Sequence, residues 1–162
     1  MFSIGDRVVY PMHGAGIIEA IEEKEVLGEK QQYYIMKLPI GDMRVMIPMR
    51  SVSEVGLRQV IDQGSVERVL EVLRGQQSKM STNWNRRYRA NMEKIKSGDI
   101  YEVAEVVRNL TLRDQEKGLS TGERKMLENS RQILISEIVL ALNTNEEEVR
   151  TLVNQVLSEA TS

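Results

Sequence analysis

The chain of 162 residues has no cysteine and a single histidine, His13. The absence of thiols excludes disulfides, thiolate catalysis and Cys-ligated zinc, and it suits a reducing cytoplasm. One histidine leaves little room for His-based triads or metal clusters. The acidic run at residues 22–25 is interrupted by Lys24 on a predicted strand, which is more typical of a solvated or partner-facing edge than of paired catalytic carboxylates. We therefore expect a protein that is not an enzyme and that holds no metal or cofactor.

The chain also lacks a recognisable export or membrane segment. Its N-terminus, MFSIGDRVVY, is charged by residue 6 and has no basic start followed by an apolar run, so no signal peptide is expected. No apolar stretch approaches the length that crosses a membrane. The net charge of −2 does not demand a nucleic-acid partner, so any anion-binding surface must be local. The expectation is a soluble, cytoplasmic protein.

Proline is scarce and confined to the first part of the chain, at Pro11, Pro39 and Pro48. This part contains short runs of β-branched and aromatic residues between Gly, Pro and Asp, which predict an antiparallel meander. The runs are residues 7–11, 16–26, 31–38 and 43–48. About 60 residues of such strands barely bury a core. We therefore predict, over residues 1–60, a small and strongly bent β barrel that leans on another element.

From about residue 62 the apolar residues recur with the period of helices. The predicted helical segments are 65–75, 83–96, 99–117, 120–142 and 144–160. Ser120 and Glu123 have the spacing of a capping box, and Thr144 and Glu147 repeat it. The predicted fold class is thus α+β, with the β module at 1–60 followed by an all-α bundle of about five helices at 61–162.

Aromatic residues make up only 4% of the chain, and its one tryptophan, Trp84, heads the most basic segment. In residues 74–96 a single anion, Glu93, is outnumbered by Arg74, Lys79, Arg86, Arg87, Arg89, Lys94 and Lys96. At 100° per residue, Tyr88, Met92 and Ile95 form one apolar stripe. The arginines lie across from this stripe or on its flank. We therefore expect the helix to dock by its stripe and to present its arginines outward.

The residue pattern leaves the role of Trp84 open. Trp84 lies on the apolar stripe but in the first turn, so it can pack on the bundle as an ordinary core residue. Alternatively it projects beyond the bundle and meets DNA, where apolar side chains inserted at base steps are a known minor-groove device. Stacking on an exposed base contributes ~1–3 kcal/mol. A third interpretation is a protein-interaction adaptor whose basic helix meets an acidic partner rather than DNA.

Four segments resemble the CarD (CdnL-type) family of bacterial RNA polymerase-binding transcription regulators. They are IGDRVVYPMHGAG (4–16), TNWNRRYRANMEKIKSGD (82–99), VAEVVRNL (103–110) and RDQEKGLSTGERKML (113–127). The resemblance runs nearly end to end, and its most specific motifs are TNW–RRY and VAEVVRNL. The opening motif also resembles the polymerase-interacting module of transcription–repair coupling factors, but the tryptophan motif and the helical half favour CarD.

The resemblance implies a Tudor-like N-terminal module that binds the β subunit of RNA polymerase by extending a sheet edge to edge. It also implies that the helical domain lies on promoter DNA at the upstream edge of the transcription bubble. There Trp84 would wedge into the minor groove and stabilise the open complex. The DNA-binding residues that it implies are Trp84, Arg86, Arg87, Arg89, Arg124 and Lys125. A monomer is expected, associated with the nucleoid through RNA polymerase.

The polymerase-binding surface departs from the family pattern at two positions. Some close members carry arginines on the β module where this chain has Lys24 and Met46. Lys24 keeps the charge without the planar guanidinium, whereas Met46 loses the charge. Arg44 lies two residues from Met46 and so on the same face of a strand. We expect Arg44 to compensate, which makes the predicted polymerase-binding set Lys24, Arg44 and Met46.

Overall fold

The computed structural model describes residues 1–160, whose N-terminal part is an antiparallel sheet. Its strands are β1 (Arg7–Tyr10), β2 (Gly14–Val26), β3 (Glu29–Lys37), β4 (Arg44–Pro48) and β5 (Arg58–Gln59), with a short helix α1 (Val52–Val55) before β5. The strand order is β4-β3-β2-β1-β5, so the predicted meander is confirmed. The predicted barrel closure is wrong: within residues 1–160 the sheet is open, because β4 and β5 lie at opposite edges. The helical bundle contacts the β5 edge, where Arg58 is bonded to Gly98 and Glu137.

A β-bulge in β2 decides which residues share a face of the sheet. The register of β2 against β3 shifts between Ile18 and Ala20. Before the bulge Ile17 lies opposite Lys37, and after it Ile21 lies opposite Tyr34. Residues directly opposite in an antiparallel pair point to the same side. Tyr34 belongs to the buried core of the module, so Ile21 is on the inner face and Ile17 on the outer face.

The second part of the described chain consists of five helices, as the sequence predicts. They are α2 (Val66–Arg74), α3 (Trp84–Lys96), α4 (Ile100–Lys117), α5 (Thr121–Leu142) and α6 (Glu146–Glu159). Side-chain caps begin four of them, at Asn83, Asp99, Ser120 and Asn145. Asn145 caps α6 one residue later than the predicted Thr144. None of the helices described in residues 1–160 is long and apolar enough to cross a membrane.

Hydrogen bonds and one ion pair, buried or partly buried, join the β module to α5. Both terminal nitrogens of Arg58 donate to the carboxylate of Glu137, at 2.7 and 2.8 Å, and only 2% of the Glu137 side chain is exposed. The same carboxylate accepts the Ile61 N–H at 3.0 Å. The Ala15 N–H donates to Ser136 Oγ at 2.8 Å. The sheet therefore packs on the bundle in addition to burying a small core of its own, as expected for a module of about 60 residues.

Candidate functional site

Trp84 is the first residue of α3 and stands out from the rest of the bundle by its exposure. Asn83, before it, caps the helix by accepting the Arg86 N–H at 3.0 Å. The Trp84 side chain is 41% exposed. The other large hydrophobic side chains that are exposed in residues 1–160 all lie between Met1 and Met46, in the β module. The bundle thus buries its apolar side chains and leaves one indole open to solvent.

The indole is nevertheless held firmly on one side. Its ring stacks on Tyr88, with the centroids 4.9 Å apart and the planes inclined by 18°. Its Nε1–H donates to Ser120 Oγ at 2.9 Å. A Cβ added at Gly122 would lie 3.4 Å from Trp84 Cζ2, so the glycine lets the ring approach the first turn of α5 closely. Trp84 therefore packs and protrudes at once, which combines the two interpretations that the sequence leaves open.

Arg87 does not face solvent, and the expectation that it does is wrong. Only 4% of its side chain is exposed. Its Nε and Nη2 donate to the Glu123 carboxylate at 2.8 and 3.2 Å, and its Nη1 donates to the Ser81 carbonyl at 3.1 Å. The inner face of α3 is formed by Arg87, Asn91 and Ile95. The buried stripe is therefore rotated toward Arg87, because an acidic partner on α5 neutralises it.

A continuous set of hydrogen bonds links this ion pair to Trp84. Ser120 Oγ accepts both the Trp84 Nε1–H and the Glu123 N–H, the latter at 3.2 Å, and lies 3.3 Å from Glu123 Oε1. Hydrogen bonding from Arg87 is the main cause that lowers the pKa of Glu123, so its carboxylate stays ionised. We call Trp84, Ser120, Glu123 and Arg87 the tryptophan support network.

Sequence reasoning found the capping box of Ser120 and Glu123 but missed its connection to Trp84. The two motifs are 36 residues apart, and only the packing of α3 against the start of α5 brings them together. A sequence signal for this connection was Arg87, three residues after Trp84, which bonds Glu123 in the structure. A helical wheel assigns that arginine to a flank and says nothing about a carboxylate on another helix.

The remaining predicted DNA-binding cations are exposed on the same two helices, α3 and the first turn of α5. Arg86 and Arg89 are exposed on α3 and make no ion pair within residues 1–160. Arg124, in the first turn of α5, is 58% exposed and lies 3.5 Å from Asp114. Lys125 beside it is exposed. We call Arg86, Arg89, Arg124 and Lys125 the basic rim.

The predicted polymerase-binding residues lie on the outer face of the sheet. Arg44 and Met46 are neighbours on this face of the edge strand β4, and Met46 is 44% exposed. Arg44 Nε donates to Glu19 Oε2 at 2.7 Å, which is the chief cause that lowers the pKa of Glu19. Lys24 is on the same face but two strands away, opposite Gln31. The structure thus brings Arg44 and Met46 together and leaves Lys24 apart from them.

Comparison with known proteins assigns both parts of the chain. Residues 2–61 match the family model of the CarD-like/TRCF RID domain, and residues 68–154 match that of the CarD C-terminal domain. The putative transcription factor YdeB of Bacillus subtilis (strain 168) is 45% identical over 151 residues, which are 93% of this chain and 99% of that protein. A β module of this type followed by this helical domain is the domain arrangement of a transcription factor. The chain belongs to the CarD family.

Two solved structures resemble the N-terminal part. The solution NMR structure of the 72-residue N-terminal domain of Myxococcus xanthus CarD is 37% identical, covers 36% of this chain and 79% of its own, and has a TM-score of 0.32. CdnLNt from Myxococcus xanthus is 43% identical, covers 38% of this chain and 86% of its own, and has a TM-score of 0.34. Both matches cover little more than a third of the present chain.

Proposed function

We propose that this transcription factor binds the β subunit of RNA polymerase through the edge of β4 and stabilises the open promoter with Trp84. The indole enters the minor groove at the upstream edge of the bubble and hinders the strands from reannealing. The observation that carries the proposal is the state of the indole. It is 41% exposed, yet it is fixed from behind by stacking and by a hydrogen bond to Ser120.

A fixed, exposed ring is suited to act as a wedge. A side chain that is already ordered loses little conformational entropy when it binds, whereas a freely rotating one loses more. The network that orders Trp84 holds the indole at Nε1 through Ser120, which is exposed, and its Arg87–Glu123 pair is buried. Its contacts can therefore persist while the outer edge of the ring meets a base step, where apolar side chains unstack and kink DNA.

The electrostatic surroundings favour a phosphate backbone next to the wedge. Trp84 lies at the first turn of α3 and against the first turn of α5, so two helix N-termini converge on it. The partial positive charge of helix N-termini attracts phosphate groups. The basic rim adds four cationic side chains, while Arg87 serves as a positioning residue because its guanidinium is bonded to Glu123.

The edge of β4 is suited to sheet extension. Within residues 1–160, β4 pairs with β3 on one side and with no strand on the other, which leaves main-chain groups available to a partner strand. The opposite edge, β5, has only two residues, and the Arg58 side chain that it carries is bonded to Gly98 and Glu137 of the bundle. Of the two edges, β4 is therefore the one that a polymerase strand can join.

The proposal is tested by the lifetime of open complexes formed by RNA polymerase with the wild-type protein or with Trp84→Ala. If the indole contributes ~1.4 kcal/mol, within the range for base stacking, the variant should shorten the lifetime about tenfold. Leu27→Ala, which truncates a fully exposed side chain in the β module, serves as a control and should match the wild type.

Binding to core polymerase without DNA separates the proposal from its main alternative. Trp84→Ala should bind core polymerase as tightly as the wild type, because Trp84 is remote in the chain from β4. Equal open-complex lifetimes for the wild type and Trp84→Ala would refute the wedge. If core binding persisted and the basic rim proved necessary for it, the chain would be an adaptor for an acidic protein surface.

A further inference from the structure

A narrow apolar groove lies where the outer face of the sheet meets the bundle. Its volume is about 300 Å³, and it is lined by Ile17, Glu19, Lys37, Leu38, Pro39 and Leu140. The aliphatic walls come from both modules, since Ile17 belongs to β2 and Leu140 to α5. Small-molecule sites usually measure about 300–1,000 Å³, so this groove is at the lower end of that range and is large enough for one apolar side chain.

The charged groups of the groove are already paired with neighbouring residues. The Glu19 carboxylate binds Arg44 at 2.7 Å, and Lys37 Nζ lies 3.5 Å from Asp42. Among the lining residues that the structure describes, no cluster of polar groups therefore converges on the groove, as a polar ligand would require. What remains for recognition is an aliphatic surface, of which Ile17 is 36% exposed.

The groove is continuous with the proposed polymerase surface. Lys37, on its wall, lies directly opposite Arg44 of β4, and Glu19 is ion-paired with the same arginine. Met43, just before β4, is 57% exposed, and Met46, within β4, is 44% exposed. Strands of a sheet are about 4.8 Å apart, so a strand added to β4 would run some 10–15 Å from the groove. A partner that pairs with β4 can therefore reach the groove with an adjacent segment.

We propose that the groove receives one apolar anchor side chain of the RNA polymerase segment that docks beside β4. The inference rests on the proposed function and extends it, because it places part of the polymerase interface on the helical domain. Protein interfaces concentrate their binding energy in a few side chains that fill pockets near the centre of the contact. A leucine, isoleucine or phenylalanine meets the size and the apolar character of this groove.

The arrangement also makes polymerase binding depend on the docking of the two modules. Leu140 lies in the α5 turn that follows the Ser136 and Glu137 contacts with the β module. Its main-chain carbonyl also accepts a hydrogen bond from Arg7 of β1. The assembled protein would thus offer polymerase a contact that the sheet alone does not provide.

The absence of cysteine allows a test in which one protein is its own reference. In the full-length Ile17→Cys variant, alkylation with N-phenylmaleimide would fill the groove. Before alkylation, affinity for core RNA polymerase should be within about threefold of the wild type, and after alkylation it should fall at least tenfold, the size of a typical anchor effect. Ile21→Cys is the matched control: Ile21 is on the same strand and 39% exposed but faces the other side of the sheet. Its alkylation should change the affinity less than about threefold.

Two further variants secure the result against misfolding, with melting curves recorded for every protein. Ile17→Ser keeps the groove open but makes its wall polar, and it should weaken core binding about fivefold. Leu140→Ala enlarges the groove from the side of the bundle and should weaken core binding to a similar degree. If alkylated Ile17→Cys and Ile17→Ser both bound like the wild type, the groove would not be part of the interface.

The outcomes for the groove and for the proposed function can be told apart. A wild-type protein that failed to bind core polymerase would contradict the proposed function itself. Wild-type binding that Met46→Glu weakens, but that filling the groove leaves unchanged, would overturn only the present inference. Binding lost in both Met46→Glu and alkylated Ile17→Cys supports the two together.

Discussion

Removing one partner of the Arg87–Glu123 ion pair should strongly lower the stability of the protein, and this change tests the support network. The two side chains are 4% and 2% exposed, so Glu123→Gln leaves a buried arginine without its counter-charge. Removing one partner of a buried pair costs about 3–5 kcal/mol. In a chain of this length each kcal/mol shifts the melting temperature by about 2–4 °C. The expected loss is therefore about 6–20 °C.

A double substitution separates the charge from the positioning of Trp84. Arg87→Met with Glu123→Leu removes both charges together, and such replacements are often neutral or stabilising. The double variant should therefore recover most of the lost stability. It should not recover a long open-complex lifetime, because the carboxylate that lies beside the Ser120 hydroxyl is gone. Arg74→Ala, which breaks exposed ion pairs with Glu67 and Glu159, is the control and should barely change the melting temperature.

Circular dichroism measures the melting temperatures, and tryptophan fluorescence reports the environment of the indole. Since Trp84 is the one tryptophan of the chain, its emission monitors the network without labelling. Glu123→Gln should change the emission of the folded protein, whereas Arg74→Ala should not. A Glu123→Gln melting temperature within about 2 °C of the wild type would refute the reasoning, since a buried arginine without its counter-charge should destabilise the protein more than that.

Three further predictions concern charge. Arg87 holds the pKa of Glu123 below its ordinary value, so the stability that this ionised carboxylate contributes is present at neutral pH and is lost as the pH falls through the lowered pKa. The melting temperature of the wild type should therefore fall at acidic pH, and this fall should be smaller in Glu123→Gln. Glu137→Gln should lower the free energy of unfolding, measured in urea, by about 1.5–3 kcal/mol, since it weakens the hydrogen bonds from Arg58. An unchanged free energy would contradict a role of this ion pair in holding the β module on α5. Arg89→Ala should weaken promoter binding and reduce the salt slope by about 0.9, the value for one phosphate, in titrations of the polymerase complex at several salt concentrations; an unchanged slope would remove Arg89 from the interface.

The helical half could be read from the sequence because each helix carries local signals. Asp99 and Ser120 are caps followed by apolar positions at helical spacing, and the helices begin one residue after them. The tryptophan could be singled out for the same reason, since its rarity and basic surroundings are visible in the chain. What it packs against could not, because Ser120 is 36 residues away.

Local sequence patterns could not predict that Arg87 is buried or that the sheet does not close into a barrel. An arginine next to an apolar stripe reads as solvent-facing unless its partner is known, and Glu123 is 36 residues along the chain. The predicted barrel failed for a related reason. The β5 edge is packed on the bundle through the ion pair of Arg58 and Glu137, which are 79 residues apart, so the neighbour of this edge is a helix and not β4. Both errors come from long-range contacts that neither periodicity nor composition records.

The central claim is that Trp84 acts on strand separation and does not merely add affinity. The measurement that tests it most directly compares open-complex lifetimes on two templates, an ordinary duplex promoter and the same promoter with a mismatched bubble that cannot reanneal. A wedge predicts that Trp84→Ala shortens the lifetime about tenfold on the duplex and has little effect on the mismatched template. An equal loss on both templates would contradict the wedge and reduce Trp84 to an ordinary DNA contact.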